Sequence, residues 1–241
     1  MNTSSPIAWV AGATGYTGRA LVAHARTSGR TVHAHIRPDS PQLARHRRHF
    51  EQELGVQVEV LAWDPDALRE ALARVRPTEV YALLGTTKAK ARAAAKAGAK
   101  PADYAAVDVG LTLMLMNACL EAEIRPRFVY LSALGADVDA SSEYMRARGQ
   151  VEEALSANSL PYTILRPSFI SGPDREERRL GERIGATLSD AILGVIGALG
   201  GRRIHDRYRS FDATTLARVL VDLAGNPATE NLVIETKTFQ G

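Results

Sequence analysis

This 241-residue chain has one cysteine, few lysines and no long apolar run, and these scarcities exclude several classes of protein. The single cysteine, Cys119, excludes a disulfide within the chain, which fits a reducing compartment. The apolar stretch at residues 191–199 is interrupted by glycine and is too short to span a bilayer. Residues 1–6 show no signal-peptide pattern, so we expect a cytoplasmic protein that contacts no membrane.

The charges are spread along the chain instead of forming a block. The net charge is only +3, and just five of the 30 basic residues are lysines. This distribution argues against a nucleic-acid surface, which needs a concentrated basic patch. His46 and His49 lack the neighbouring ligands that a metal site requires. We expect a small-molecule substrate, no nucleic-acid partner and no bound metal, with the oligomeric state open between monomer and homodimer.

The composition is that of an ordinary globular protein. Hydrophobic residues make up 45% of the chain and charged residues 24%. The length suits one large domain with its own core. We predict a single domain over residues 1–241, in which residues 168–241 contribute the substrate-side elements.

Three glycines near the N-terminus form the most telling motif. Gly12, Gly15 and Gly18 follow a short apolar run at residues 7–10 and precede an apolar-periodic segment. A strand, a glycine-rich turn and a helix in this order favour phosphate binding, because the helix N-terminus offers free N–H groups and a positive dipole. A purely structural turn is the alternative. The predicted phosphate-binding residues are Gly12, Ala13, Thr14, Gly15, Tyr16, Thr17 and Gly18.

Strand-like and helix-like segments alternate through the first 170 residues. That alternation predicts an α/β fold with a doubly wound parallel sheet and helices on both faces. The segments after residue 172 break the pattern and are predicted to form a small C-terminal extension on the substrate side. In such a sheet, ligands bind at the carboxyl ends of the strands, near the point where the strand order reverses.

Two polar residues lie at predicted strand ends. Arg37 ends the second strand, where an arginine pairs with the 2′-phosphate of NADP and a carboxylate would instead bind the ribose of NAD. We therefore predict NADP, with NAD as the lesser possibility and a solvated arginine as the structural alternative. Asp64 follows the third strand, where it either reaches the adenine or caps the next helix.

The fourth predicted strand ends in small residues that let a ribose and phosphate lie close. The predicted cofactor contacts at this strand end are Leu84, Gly85, Thr86 and Thr87.

Further motifs complete a recognisable set. Ser132 is followed by Tyr144 and by a basic residue four positions later, Arg148. With the glycine motif, this set resembles the short-chain dehydrogenase/reductase superfamily, and in particular its atypical members with an NAD(P)-binding Rossmann domain. The motifs Leu-Gly-Thr-Thr, Tyr-x-x-x-Arg-Gly-x-Val-Glu and Arg-Pro-Ser are similar to those of the Tat-interacting-protein group of oxidoreductases (also called TIP-thirty-like).

The resemblance implies a hydride transfer between NADP(H) and a small carbonyl or alcohol. It implies that Tyr144 is the acid/base, that Ser132 holds the substrate oxygen and that position 148 supports the tyrosine and the nicotinamide ribose. It also implies that the loop after the sixth strand meets the nicotinamide carboxamide. The residues concerned are Pro167, Ser168 and Ile170; the structural alternative is a strand exit held by proline.

Arg148 departs from the lysine that the family pattern expects. An arginine keeps the positive charge but hardly deprotonates, so it is a poor proton relay, and its planar fork has a different geometry. Two functions therefore stay open: an NADP-dependent oxidoreductase, and a dinucleotide-binding regulatory or interaction protein with little or no turnover.

Overall fold

The computed structural model describes residues 5–85, 109–167, 169–170 and 210–235. Within these residues, seven strands form one parallel sheet in the order β3-β2-β1-β4-β5-β6-β9. A separate pair of two-residue strands, β7 and β8, also runs parallel. The strands are β1 (Ile7–Ala11), β2 (Thr31–Ile36), β3 (Gln57–Val60), β4 (Glu79–Ala82), β5 (Arg127–Leu131), β6 (Tyr162–Arg166), β7 (Phe169–Ile170), β8 (Ser210–Phe211) and β9 (Leu232–Glu235).

Helices connect most of these strands. Leu43–Arg48 continues directly into a π-helical turn at His49–Glu53, and a 3₁₀ turn at Pro227–Thr229 leads into β9. The α-helices are α1 (Tyr16–Thr27), α2 (Leu43–Arg48), α3 (Pro65–Val75), α4 (Leu111–Glu121), α5 (Glu143–Ala157) and α6 (Ala213–Gly225). None of the described helices is both long and apolar enough to cross a membrane.

Local sequence signals fix several helix ends. The Asp64 carboxylate accepts from the Ala67 amide at 2.9 Å, and Pro65 occupies the first turn of α3. Asp212 caps α6 in the same way, accepting from the Thr215 amide at 2.7 Å. These bonds from backbone amides satisfy donors that a helix start leaves unpaired.

The sheet separates two apolar layers. Alternate residues of β1 face opposite sides, so Val10 packs with α1 and α6 whereas Trp9 packs with α3 and α4. Near-continuous burial along β4 and β5 reflects this cover on both faces. The prediction of a doubly wound parallel sheet is therefore confirmed.

The strand order reverses between β1 and β4. The chain proceeds from β1 outward to β3 on one side, and then from β4 outward to β9 on the other. The connections leave a crevice above the carboxyl ends of β1 and β4, which is where open α/β sheets bind ligands. The glycine turn lies at this reversal point because it directly follows β1.

Some predicted elements have different bounds or placements. The third strand is short: it spans only Gln57–Val60 and pairs with β2 at the edge of the sheet. The helix α4 covers Leu111–Glu121, and the segment at residues 101–108 before it lies outside the described residues. The C-terminal helix and strand join the main body, since α6 packs against α1 and β9 pairs with β6.

A buried ion pair closes the amino end of the sheet. Arg30 donates from Nε to one Glu79 oxygen at 2.7 Å and from Nη2 to the other at 3.0 Å. The Tyr81 hydroxyl also donates to Glu79 at 2.7 Å, and Arg30 reaches the Val221 carbonyl at 3.1 Å. We call Arg30, Glu79, Tyr81 and Val221 the amino-end network.

Candidate active site

The glycine turn is shaped so that side chains are excluded from it. Gly12 has φ +82°, and a Cβ there would lie 2.6 Å from the Leu83 carbonyl oxygen. A Cβ at Gly18 would collide with the Gly12 carbonyl and would lie 2.9 Å from Ala13 Cα. The backbone can therefore take this path only with glycine at both positions.

The start of α1 has the features of an anion site. The N-cap residue Gly15 makes no side-chain cap bond, and the first turn holds no acidic residue. Arg19, one turn into the helix, donates to the Thr14 carbonyl at 2.9 Å and so braces the turn. A helix start without a side-chain cap, next to a cradle that a Cβ would fill, suits a pyrophosphate. All seven residues predicted for phosphate binding lie in this turn or in the first helical turn.

The predicted adenosine contacts lie on the other side of the reversal point. Arg37 follows β2 with its side chain 53% exposed, and its guanidinium lies 3.5 Å from the Asp39 carboxylate. Asp64 is exposed after β3 and uses one carboxylate oxygen for the helix cap. Of the two roles that the sequence left open for Asp64, the cap is present in the structure.

The β4 and β6 ends bring further predicted contacts to the same edge. Leu84 is buried and Gly85 is exposed, while Thr86, Thr87 and Ser168 lie outside the described residues. Pro167 is buried, and its carbonyl accepts from the Leu134 amide at 3.0 Å. Ile170 is described only as part of the backbone pair between β7 and β8.

Arg148 occupies a buried position between strand ends. Its guanidinium donates to the Leu131 carbonyl at 2.7 Å and to the Leu84 carbonyl at 3.1 Å, so it joins the ends of β5 and β4. A third bond reaches the Tyr130 hydroxyl at 3.1 Å. With the residue only 5% exposed, these N–H groups are bonded inside the protein, to two backbone carbonyls and one tyrosine hydroxyl. A lysine could not make this set of forked contacts.

Tyr144 lies one helical turn before Arg148 on α5 and is half-buried. The Arg148 Cζ lies 5.2 Å from the centre of the Tyr144 ring and 5.4 Å from the centre of the Tyr130 ring. Such cation–π contacts hold aromatic rings against a charge. The structure therefore brings Tyr144 and Arg148 together, as their four-residue spacing predicts.

Ser132 belongs to a second buried cluster. It is 3% exposed and donates its hydroxyl to the Glu152 carboxylate, which lies one turn beyond Arg148 on α5. Arg166 donates to both oxygens of that carboxylate, from Nη2 at 2.5 Å and from Nε at 3.0 and 3.2 Å. The bond from Glu152 raises the pKa of Arg166. We call Ser132, Glu152 and Arg166 the carboxyl-end network.

Glu152 and Arg166 received no role from the sequence. Glu152 ends the Tyr-x-x-x-Arg-Gly-x-Val-Glu motif and Arg166 begins the Arg-Pro-Ser motif. No short-range pattern in the sequence indicates that the two side chains meet. The available signal was the spacing of Tyr144, Arg148 and Glu152, which places all three on one face of a helix.

Cys119, His33 and Glu59 are ionisable side chains of the described residues that lie outside the candidate site. Burial raises the pKa of the Cys119 thiol to about 12, which leaves it unreactive. His33 contacts Glu59 at 2.8 Å, and Glu59 is also bonded by Arg74 at 2.7 Å. No cluster of three or more potential metal-ligating side chains occurs in these ranges.

Solved structures share this fold. The structure of UDP-N-acetylglucosamine 4-epimerase from Bacillus cereus matches 96% of this chain and 78% of its own, with TM-score 0.60 and 17% identity. NADPH-dependent 3-quinuclidinone reductase from Rhodotorula rubra matches 95% of this chain and 89% of its own, with TM-score 0.63 and 14% identity. At such identities these matches establish the Rossmann-like fold.

A curated relative is protein FMP52 of Debaryomyces hansenii, 25% identical over 92% of this chain and 89% of its own. It and further fungal relatives are named as mitochondrial proteins. The prediction of a cytoplasmic location is therefore wrong: absence of a recognised signal peptide does not decide between compartments.

The geometry and the comparisons agree on the dinucleotide. The glycine cradle lies where a Rossmann-like fold binds its cofactor. A family model described as NAD(P)H-binding matches residues 12–192, and the chain belongs to this NAD(P)H-binding family.

Proposed function

We propose that this protein is an NADP-dependent oxidoreductase of the atypical short-chain dehydrogenase type, acting on a small carbonyl or alcohol. The observation that carries the proposal is the contact between Tyr144 and Arg148 at the same sheet edge as the glycine cradle. A hydroxyl beside a fixed positive charge suits proton transfer at a substrate oxygen. The motif likeness to the Tat-interacting-protein group supports the same proposal.

Each part of the site has a role in this proposal. The turn from Gly12 to Gly18 holds the pyrophosphate, and the Pro167 backbone meets the carboxamide. Tyr144 donates or accepts the proton at the reacting oxygen, and Arg148 fixes its ring. A bound nicotinamide supplies or accepts the hydride.

The choice of NADP over NAD rests on Arg37. Its exposed guanidinium follows β2, where the ribose 2′ position of a bound dinucleotide is read. Arg37→Ala should weaken NADPH binding about tenfold, or about 1.4 kcal/mol, and leave NADH binding unchanged. Asp39→Asn is the matched control, because removing the competing carboxylate should strengthen NADPH binding. Equal effects on the two cofactors in fluorescence titrations would overturn the assignment.

Two observations favour a second candidate, a dinucleotide-binding protein with little or no turnover. Ser132 is buried and gives its hydroxyl to Glu152, and Arg148 gives its N–H groups to backbone carbonyls and Tyr130. Both groups therefore have structural partners where the family pattern expects contacts with substrate and ribose.

One experiment separates the two candidates. NADPH binding is measured by fluorescence titration, and its oxidation is followed across a broad panel of carbonyl compounds. An oxidoreductase turns over at least one compound and loses that activity, but not NADPH binding, in Tyr144→Phe. Binding without turnover supports the second candidate, and turnover gained in Arg148→Lys would identify a lapsed enzyme.

A further inference from the structure

Glu152 joins three separate segments of the candidate site. The residue is 7% exposed and lies on α5, the helix that also carries Tyr144 and Arg148. It accepts from Ser132 at the end of β5 and from Arg166 at the end of β6. One carboxylate thus connects the helix to two neighbouring strand ends.

The segments that Glu152 holds also bond to each other. The Ser132 amide donates to the Leu165 carbonyl at 2.8 Å, and the Leu134 amide donates to the Pro167 carbonyl at 3.0 Å. Arg166 directly precedes Pro167, so the fork that fixes Arg166 also fixes where the Pro167 loop begins. A shift of the carboxylate would therefore move both strand exits.

The helix has little freedom to compensate. A Cβ at Gly149 would lie 2.5 Å from the Val138 amide nitrogen, which shows that α5 is pressed against the backbone at residues 137–138. Because the helix position is fixed there, the reach of the Glu152 side chain is fixed too. The adenosine-side residues Arg37 and Asp64 lie across the reversal point, after β2 and after β3.

We propose that Glu152 is a positioning residue that holds the nicotinamide half of the bound dinucleotide in place, acting through Ser132 and Arg166. The inference rests on the proposed function, because it takes the Pro167 loop as the nicotinamide contact. A neutral side chain at position 152 breaks the arrangement, since an amide NH₂ must face one of the Arg166 N–H groups that the carboxylate now accepts. The adenosine half keeps its own contacts.

The test compares two ligands, NADPH and 2′,5′-ADP, which carries the phosphorylated adenosine but no nicotinamide. Calorimetric titration of Glu152→Gln should show NADPH bound about tenfold more weakly, with 2′,5′-ADP bound as by the wild type. Glu79→Gln in the amino-end network is the matched control; it should lower the melting temperature and leave both affinities unchanged. If the wild type prefers NADH, then NADH and ADP replace the two ligands.

Three results of these titrations would overturn the role proposed for Glu152 or lead to a second variant. Equal weakening of both ligands, or of neither, in Glu152→Gln would mean that the residue serves stability alone. If Glu152→Gln does not fold, Arg166→Lys makes the same comparison, because lysine keeps the charge but loses the fork. A wild-type protein that binds no dinucleotide would overturn the proposed function itself, and this inference with it.

Discussion

The two ends of the sheet contain the same chemical unit in different settings. In each, an arginine fork binds a buried glutamate that also accepts from a hydroxyl: Arg30, Glu79 and Tyr81 at the amino end, and Arg166, Glu152 and Ser132 at the carboxyl end. The amino-end network joins β4 to the loop before β2 and to α6. The carboxyl-end network joins α5 to strand exits that border the crevice.

The comparison separates two uses of a buried ion pair. Such a pair contributes little net stability against an apolar replacement, but it is costly to break because an unpaired charge remains buried. At the amino end we expect that cost to appear as lost stability alone. At the carboxyl end we expect it to appear in ligand binding as well.

Breaking the amino-end network should have the largest effect on stability. Glu79→Ala leaves the Arg30 charge and the Tyr81 hydroxyl without their acceptor, and we expect a loss of about 3–5 kcal/mol in the free energy of unfolding. Urea unfolding measures it. Below the transition, the folded protein should bind NADPH as the wild type does; weakened binding would show that the two ends are coupled.

Alanine substitutions at two glycines, one near each end of the sheet, test the ligand cradle. Gly12 and Gly29 have almost the same φ, +82° and +83°, but only Gly12 lies against another part of the backbone, and nothing lies within 4 Å of a Cβ at Gly29. Gly29→Ala should cost about 1–2 kcal/mol of stability through strain and leave NADPH binding intact. Gly12→Ala adds the clash with Leu83 and should abolish measurable binding. Retained NADPH binding in Gly12→Ala would contradict the cradle.

Removing one hydroxyl group from each network tests the comparison without leaving a charge unpaired. Tyr81→Phe and Ser132→Ala each remove one donor to a glutamate, and each should cost about 1 kcal/mol of stability. We expect only Ser132→Ala to weaken NADPH binding, because only Ser132 borders the site. Melting curves and fluorescence titrations measure the two quantities. A reversed pattern, with binding lost in Tyr81→Phe, would refute the division between the two ends.

The smallest expected effect is on the pH dependence of stability, through His35 on β2. Burial lowers the pKa of His35, the bond to the Leu61 carbonyl opposes this, and Arg37 adds to the lowering. The unfolded chain then takes up a proton near pH 6.5 that the folded chain does not, so stability is present above that pH and is lost as the pH falls. Melting temperatures from pH 8 to 5 should fall less in His35→Gln than in the wild type. An unchanged pH profile would show that His35 does not contribute.

The sequence predicted the parts of the site whose signals are local. The glycine turn, Arg37 at a strand end and the four-residue step from Tyr144 to Arg148 are each readable within a few residues, because turns and helix faces depend on short spacings. The carboxyl-end network was not predictable in this way. Ser132 and Glu152 are 20 residues apart, and Glu152 and Arg166 are 14 apart, so they meet only after the strands and the helix between them have packed.

Sequence alone determined the parallel sheet and the tight glycine turn after β1, because hydrophobic periodicity and glycine spacing can both be read along the chain. The tertiary structure decided what those residues contact. In the folded protein, Arg148 donates to backbone carbonyls at two strand ends, and the Ser132 hydroxyl donates to Glu152. The physical reason is that a buried donor must find an acceptor, and its acceptor is set by the elements that pack beside it.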